Sequence, residues 1–427
     1  MLRDVNIMLA RIGRELRQGK TLITFTSIRA LGETLGMVAP LIVAKFFSPG
    51  LFASYSLARM VVFFFAALLI SSSQVPFIIF ANQEKLARGR INKTFSVQLT
   101  FLILSLFLFA AMSLLLGRYI MAFAGINRGD LFFVQLAFVG FVLKTFLCNL
   151  FMAMGQRIKN SLAELAFSGF TLCLVFVLHL TDRLSLRTVF LIYFTSALLV
   201  VFIFIKTIDF GPLRPFIIDK RHFSDILDCV KWIMLATTAV YFVNWGDNLV
   251  LRCFVSMQNI GTYNLAYQAF KGVLMLSFII DAYFLPFISQ HVSDAAKMRV
   301  YLSEKRPKIF LFGLLGIGLL FVVLPRIFRI YGDAYRDSIM LLRILLIGSV
   351  PMLYTVFYTP IFSALKEYKF LQIACMLQVL LNIILDLLLV PPMGPPGAAI
   401  ATVVAYFCLA AIIEVYYRVK LKKMLGL

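Results

Sequence analysis

The amino-acid sequence predicts an all-α integral membrane protein with twelve transmembrane helices, arranged as two six-helix lobes around a central cavity. Hydrophobic residues make up 61% of the 427 residues and charged residues only 14%, a balance that no soluble domain of ordinary size shows. Twelve apolar runs in the chain have the length of a bilayer crossing. A basic link near the middle of the chain separates the first six runs from the last six.

Each predicted span is an apolar run of 18 to 28 residues, and about 17 to 25 residues suffice to cross about 30 Å of hydrocarbon. The first six lie at residues 21–44, 55–80, 95–117, 131–154, 161–180 and 188–205. The last six lie at residues 232–254, 262–289, 308–329, 338–364, 370–390 and 396–417. Charged or Gly/Pro-rich turns bound each run, and we predict that the helices end there.

The basic residues are distributed unequally between alternate loops. Loops on the side that holds both termini carry 27 of the 41 Lys and Arg residues, whereas loops on the other side carry eight. Because cytoplasmic loops of membrane proteins are enriched in Lys and Arg, both termini are predicted to be cytoplasmic.

The predicted organisation has five segments. Residues 1–20 are interpreted as a basic amphipathic segment on the cytoplasmic membrane surface, with a disordered basic tail as the alternative. The N-terminal lobe (21–207), a cytoplasmic inter-lobe linker (208–231), the C-terminal lobe (232–417) and a basic cytoplasmic tail (418–427) follow. Since both lobes have six spans and begin in the cytoplasm, an axis along the membrane normal relates them, and a central cavity follows.

Several functional classes find no support in the sequence. The net charge of +21 is dispersed among short loops, unlike the clustered basic face that binds nucleic acid. The six cysteines form no CxxC pair and the three histidines are far apart, so neither a disulfide framework nor a metal centre is indicated. The loops are too short to hold a catalytic domain, so we expect a protein that is not an enzyme.

Three basic residues lie near the middle of predicted spans, where an uncompensated charge costs several kcal/mol. They are Arg29, Lys144 and Lys271. Such placement is typical of a path for an anionic passenger. Neither lysine has an opposite charge within four residues on its own helix, so any partner must come from another helix.

Arg29 allows two interpretations. Glu33 is four residues further along the same predicted helix, so the two side chains share a face. They either pair with each other as a structural ion pair or line the cavity. Both interpretations stay open at the level of the sequence.

A second polar group lies in the last two spans. Asn382 and Asp386 are four residues apart on one face, and with Thr402 on the next helix they offer oxygen atoms to a small hard cation. The alternative is that these side chains hydrogen-bond neighbouring helices together.

Three stretches resemble sequences of known transporters. They are KFFSPGLFASYSLAR after the first span, NWGDNLVLRCFVSMQNIGTYNLAYQ through the seventh, and LNIILDLLLVPPMGPPGAAIAT from the eleventh into the twelfth. Together with the twelve-helix layout, they resemble the polysaccharide transporters of the MOP superfamily, and among these the Wzx-type flippases. The layout resemblance covers essentially the whole chain and implies a MATE-like two-lobe fold.

The resemblance also implies roles for particular residues. In related lipid II flippases, arginines on helices 1, 2 and 8 contact a diphosphate, and the similar positions here are Arg29, Arg59 and Lys271. Lysine keeps the charge but lacks the forked geometry of a guanidinium. Those relatives also bind sodium through side chains that match Asp247, Asn382, Asp386 and Thr402. From residues and resemblance together, the predicted substrate-binding set is Arg29, Glu33, Arg59, Lys144 and Lys271.

The resemblance implies an alternating-access flippase in the bacterial cytoplasmic membrane. Its cargo would be an undecaprenyl-diphosphate-linked oligosaccharide, moved from the cytoplasmic to the periplasmic leaflet for cell-surface polysaccharide biosynthesis. No cofactor is expected, and the coupling ion would be Na⁺ or H⁺. The expected partners are membrane lipid, a polysaccharide polymerase and chain-length proteins. Two alternatives stay open: a cation-coupled multidrug exporter, which predicts an acidic cavity, and a polysaccharide polymerase or ligase, which the short outer loops disfavour.

Overall fold

The computed structural model describes residue 24, residues 27–365 and residues 367–426. Within these ranges the secondary structure is helical and no strand occurs. The predicted amphipathic segment 1–20 lies outside the described residues.

Twelve long helices follow one another along the described chain. The first six are α1 (Ser27–Phe46), α2 (Pro49–Arg88), α3 (Asn92–Leu115), α4 (Arg128–Ala153), α5 (Arg157–Leu180) and α6 (Leu186–Ile205). The last six are α7 (Lys220–Phe254), α8 (Met257–His291), α9 (Ala295–Tyr331), α10 (Asp333–Ala364), α11 (Tyr368–Met393) and α12 (Pro395–Met424). A short helix, Gly117–Ala124, precedes α4.

The length and composition of these helices are those of a multi-pass membrane protein. Eleven of them, counted over the described residues, are long and apolar enough to cross a bilayer. The remaining helix, α8, has 35 residues and corresponds to the eighth predicted span. The predicted fold class, an all-helical integral membrane protein, is confirmed.

Local sequence explains where several helices begin and end. Asn127 caps α4 by accepting a hydrogen bond from the Asp130 amide while the Asp130 side chain accepts one from the Asn127 amide, and Ser185 and Thr188 form the same capping box at α6. Gly394, at φ 65°, separates α11 from α12, a backbone conformation that glycine adopts without steric cost. Polar caps and a glycine turn therefore set boundaries that hydropathy alone places only approximately.

The described chain divides into two compact units. The first comprises residues up to Pro40 together with Val61–Ala122 and Ile126–Thr237. The second comprises Leu41–Met60, Phe123–Gly125 and Thr238–Leu427. The end of α1 and the start of α2 thus belong with the C-terminal helices, because contacts such as the 3.0 Å hydrogen bond from the Tyr335 hydroxyl to the Phe47 carbonyl hold them there.

Within the first unit, the segment that leads into α7 is fixed to the turn between α2 and α3. The buried Glu84 carboxylate accepts hydrogen bonds from the Lys93 amide, the Thr94 amide and the Thr94 hydroxyl, and Thr94 contacts the His222 ring at 2.8 Å. Lys93 Nζ lies 2.5 Å from Asp219 Oδ2. This hydrogen bond lowers the pKa of the Asp219 carboxyl to about 2, so the ion pair persists at neutral pH.

Within the second unit, α11 and α12 approach each other closely. A β-carbon at Gly397 would collide with the Leu389 carbonyl group, so only glycine permits this spacing. The close approach brings Thr402 of α12 beside the polar side chains of α11.

Candidate functional site

In the first unit, Lys144 forms a buried ion pair with a residue of another helix. Its Nζ lies 2.8 and 2.9 Å from the two carboxylate oxygens of Glu164 on α5, and its side chain is only 8% exposed. The rings of Phe141 and Phe167 lie 5.3 and 5.0 Å from the ammonium group. The partner that the sequence required from another helix is therefore Glu164.

Arg29 is also paired. Its Nε lies 2.7 Å from Glu33 Oε1, and both side chains are about half exposed, at 50% and 44%. The Arg29 guanidinium also acts electrostatically on the Glu164 carboxylate. The first unit thus holds two cations and two carboxylates in one neighbourhood, and their formal charges cancel.

Lys271 of the second unit has different surroundings. Its Nζ lies 4.1 Å from the centre of the Trp245 ring and 4.7 Å from that of Tyr267. No carboxylate of the described chain lies within ion-pair distance of it, and the Asp247 carboxylate acts on it only from farther away. Aromatic faces stabilise an ammonium group by cation–π attraction, without neutralising its charge.

Arg59 contributes a second positive charge in the electrostatic neighbourhood of Lys271. Its guanidinium carbon lies 5.2 Å from the centre of the Tyr55 ring, and its charge acts on Lys271. The structure therefore brings Arg59 into electrostatic range of Lys271. It pairs Arg29 with Glu33 and Lys144 with Glu164 in the other unit.

The four residues of the predicted cation site lie together in the second unit. Asn382 Nδ2 donates hydrogen bonds to Asp247 Oδ1 at 2.6 Å and to Asp386 Oδ2 at 3.1 Å. The Thr402 hydroxyl donates to Asp247 Oδ2 at 2.9 Å. All four side chains are buried. Two buried carboxylates that share one amide donor require a compensating cation or proton.

The chemistry of this cluster fits a small hard cation. Asp386 Oδ1 is buried and receives no hydrogen bond from the described residues, so one carboxylate oxygen remains available as a ligand. A cavity of about 10 Å³ lies against Asn382 and Thr402, which is room for about one water-sized sphere. No group of three or more His, Cys, Asp or Glu side chains able to hold a metal occurs in the described chain, and hydroxyl and amide oxygens would complete the ligand set.

Sequence reasoning missed the residues that link the carboxylates to Lys271. Tyr263, Tyr267 and Lys271 recur every four residues and share one face of α8. The Tyr263 hydroxyl donates to Asp247, the Tyr263 and Tyr267 rings stack at 5.7 Å, and the Tyr267 ring contacts Lys271. The four-residue spacing can be read from the sequence, but the contact of Tyr263 with Asp247 on α7 cannot.

Comparisons with known proteins show a shared fold. MurJ, a lipid II flippase in an inward closed conformation, is 16% identical and superposes with a TM-score of 0.77 over 93% of this chain and 87% of that one. An inward-facing multidrug-resistance MATE transporter of the MOP superfamily is 14% identical, with a TM-score of 0.72 over 95% and 98%.

A third similar structure is a MOP superfamily transporter from Pyrococcus furiosus, described as having a binding pocket of reversed polarity. It is 15% identical, with a TM-score of 0.56 over 96% of both chains. No protein-family model matches the sequence, and no curated protein matches it. The chain therefore has the helical fold of these transporters.

The burial of the Lys144–Glu164 ion pair predicts that breaking it lowers stability more than breaking the exposed Arg29–Glu33 pair. Removal of one partner from a fully buried pair costs about 3–5 kcal/mol. Because Glu164 is 33% exposed, we expect Glu164→Gln to lower the free energy of unfolding by somewhat less than that. The measurement is thermal unfolding of the purified protein in detergent.

The matched control for this prediction is Glu33→Gln, which breaks the half-exposed pair with Arg29 and should change stability by about 1 kcal/mol or less. The double variant Lys144→Met, Glu164→Gln should recover part of the loss, since no buried charge is then left alone. Equal melting temperatures for Glu164→Gln and Glu33→Gln would contradict this account of the pair.

Proposed function

We propose that this protein is a flippase of the MOP superfamily. Its cargo would be an undecaprenyl-diphosphate-linked oligosaccharide, carried from the cytoplasmic to the periplasmic leaflet of the bacterial inner membrane. The observation that carries the proposal is the environment of Lys271. Its ammonium group, on a long helix of a membrane protein, contacts aromatic rings instead of a carboxylate. The fold shared with a lipid II flippase supports a lipid-linked cargo.

An anionic cargo supplies the counter-charge that Lys271 lacks. A diphosphate offers several oxygen acceptors, and charge-assisted hydrogen bonds to them are stronger than cation–π contacts with Trp245 and Tyr267. Arg59, whose positive charge acts on Lys271, would be attracted to the same anion. The diphosphate thus supplies the counter-charge of Lys271, while the polyprenyl tail remains in lipid.

Arg29, Glu33 and Lys144 have a different part in this proposal. Their cations already have carboxylate partners, so a diphosphate would have to compete with Glu33 and Glu164. Replacement of Glu33 by the diphosphate at the half-exposed Arg29 costs little free energy, because an exposed ion pair contributes at most about 1 kcal/mol. We therefore assign Arg29 to transient contact with the passing diphosphate and Lys144 mainly to the packing of α4 against α5.

Cation coupling belongs to the same proposal. Na⁺ or H⁺ at Asp247, Asn382, Asp386 and Thr402 would neutralise one negative charge, and the tyrosines of α8 connect this cluster with Lys271. A ligand can shift an equilibrium only by its difference in affinity between two states. A cation that binds Asp247 would break the hydrogen bond from the Tyr263 hydroxyl, and its affinity would then differ between states with and without that bond. Through Tyr263 and Tyr267, the change would reach Lys271, the proposed contact of the cargo.

A multidrug exporter is the second candidate, because a MATE transporter has the same fold and the buried carboxylates could serve an organic cation. The small volume beside Asn382 and Thr402, about 10 Å³, disfavours this role. An organic cation needs a cavity of several hundred Å³. The carboxylates therefore suit an inorganic ion better than a drug.

The first prediction of the proposal concerns Lys271. Lys271→Gln should abolish flipping of the diphosphate-linked oligosaccharide in proteoliposomes, because the amide cannot neutralise a phosphate, and should leave the melting temperature unchanged or raised. Lys271→Arg should retain partial flipping. Arg343→Gln, on α10 at the ring of Phe321, is the control and should flip at the wild-type rate. Full flipping by Lys271→Gln would rule out its role.

The second prediction uses Trp245 as a reporter of the cation. The chain has two tryptophans, so Trp232→Phe leaves Trp245 as the only one. In that background, Na⁺ or a change of pH should alter Trp245 emission. An ion that binds at Asp247 should shift Tyr263 and Tyr267, and with them the Lys271 ammonium group that lies on the Trp245 ring. Asp386→Asn should abolish the response, and Tyr263→Phe should reduce it. An unchanged emission spectrum over a saturating Na⁺ and pH series would contradict coupling.

A further inference from the structure

A cleft separates two consecutive helices of the second unit. α8 and α9 each pack closely against α10. They contact each other near the turn that joins them, where the Phe284 and Tyr301 rings lie 5.1 Å apart, and a cleft opens between them farther along. The cleft has a volume of about 540 Å³ and is lined by Val273, Ser277 and Ile280 of α8, by one face of α9, and by Ser349 and Leu353 at its floor. Consecutive helices joined by a short turn normally bury their shared face, so this gap needs a filler.

The cleft is elongated and continues to the turn between the helices. Ile309 also lines a second cavity of about 490 Å³, which ends at Gln290 and Lys305. From Lys305 to Leu320 the lining spans sixteen residues of α9, and the rise of 1.5 Å per residue makes this about 22 Å from end to end. The two cavities therefore adjoin at Ile309, and together they offer a path with an apolar body and a polar mouth.

The apolar part faces away from the protein core. Residues 302–324 of α9 include no buried residue, and Phe312 and Leu319, which line the cleft, are 75% and 64% exposed. In a membrane, hydrocarbon surrounds such a surface. An empty cleft would forfeit the dispersion contacts of its lining, whereas a hydrocarbon chain would restore them.

The mouth carries positive charge. The segment from Asp294 to Lys308 has five basic residues, namely Lys297, Arg299, Lys305, Arg306 and Lys308, against two acidic ones, Asp294 and Glu304. Asp294 pairs with Lys297, so the basic residues nearest the mouth remain in excess. Arg306 stacks on Tyr354 and Tyr358 at 4.5 and 4.6 Å. Lys305 lies on the Phe287 ring at 4.5 Å and lines the mouth itself. An anionic headgroup is complementary to this end of the path.

We propose that the cleft binds an anionic glycerophospholipid, with one acyl chain between α8 and α9 and the phosphate beside Lys305. The bilayer's own phospholipids are the abundant molecules with this chemistry, and occupancy follows concentration. The site does not depend on the proposed cargo. It braces α8, the helix that carries Lys271, against α10, so the lipid stabilises the conformation of the residue on which transport relies.

Two glycines of α9 give a matched pair of variants. A β-carbon at Gly316 or at Gly318 would meet no atom within 4 Å, and both positions are exposed. Only Gly316 lines the cleft. Gly316→Leu therefore fills the cleft, whereas Gly318→Leu adds the same side chain to the same helix outside it.

The experiment is a titration of the purified full chain in detergent with phosphatidylglycerol, followed by native mass spectrometry and by the melting temperature. Wild-type protein and Gly318→Leu should bind the lipid and melt at higher temperature with it. Gly316→Leu should bind about tenfold more weakly and show little lipid-dependent shift. Lys305→Gln should lose the preference for phosphatidylglycerol over phosphatidylcholine.

Three outcomes would overturn the proposal. If Gly316→Leu and Gly318→Leu bind the lipid equally, the acyl chain does not lie in the cleft. Equal binding of phosphatidylcholine and phosphatidylglycerol by the wild-type protein would remove the role of Lys305. Tighter binding of undecaprenyl phosphate than of phosphatidylglycerol would assign the cleft to the polyprenyl carrier instead of a phospholipid.

Discussion

A charge inside a membrane-spanning helix is stable only beside a counter-charge, an aromatic face or water. The two units of this protein meet that constraint differently. Lys144 and Arg29 have carboxylate partners in the first unit, whereas Lys271 in the second contacts Trp245 and Tyr267. The pair of Lys144 with Glu164 holds two helices together, whereas aromatic faces do not neutralise a cation, which can therefore attract an anion. The proposed transport of a diphosphate depends on this difference.

The carboxylate cluster of α7 and α11 obeys the same constraint with the opposite sign. Asp247 and Asp386 share the Asn382 amide and are buried, so they need a cation or a proton as Lys271 needs an anion. Tyr263 and Tyr267 lie between the two groups on one face of α8. One helix therefore contacts both an excess of negative charge and an excess of positive charge, which is an arrangement suited to coupling two ions of opposite sign.

The sequence predicted the helical fold well because bilayer thickness fixes the length of an apolar run and charged or Gly/Pro-rich turns end it. Asn382 and Asp386 were predicted to share a face from their spacing alone. The partner of Lys144 was not predictable, since the position of Glu164 depends on how α5 packs against α4. For the same reason the sequence did not assign Leu41–Met60 to the C-terminal helices, and it gave Tyr263 no role.

The central claim is that the charge of Lys271 selects an anionic cargo. Its most direct test is equilibrium binding of farnesyl diphosphate to the purified protein, with farnesol and a lipophilic organic cation as competitors of matched apolar bulk. We expect farnesyl diphosphate to bind, added salt and Lys271→Gln to weaken its binding, and neither competitor to displace it at equal concentration. Displacement by the organic cation, or binding that is unchanged in Lys271→Gln, would contradict it.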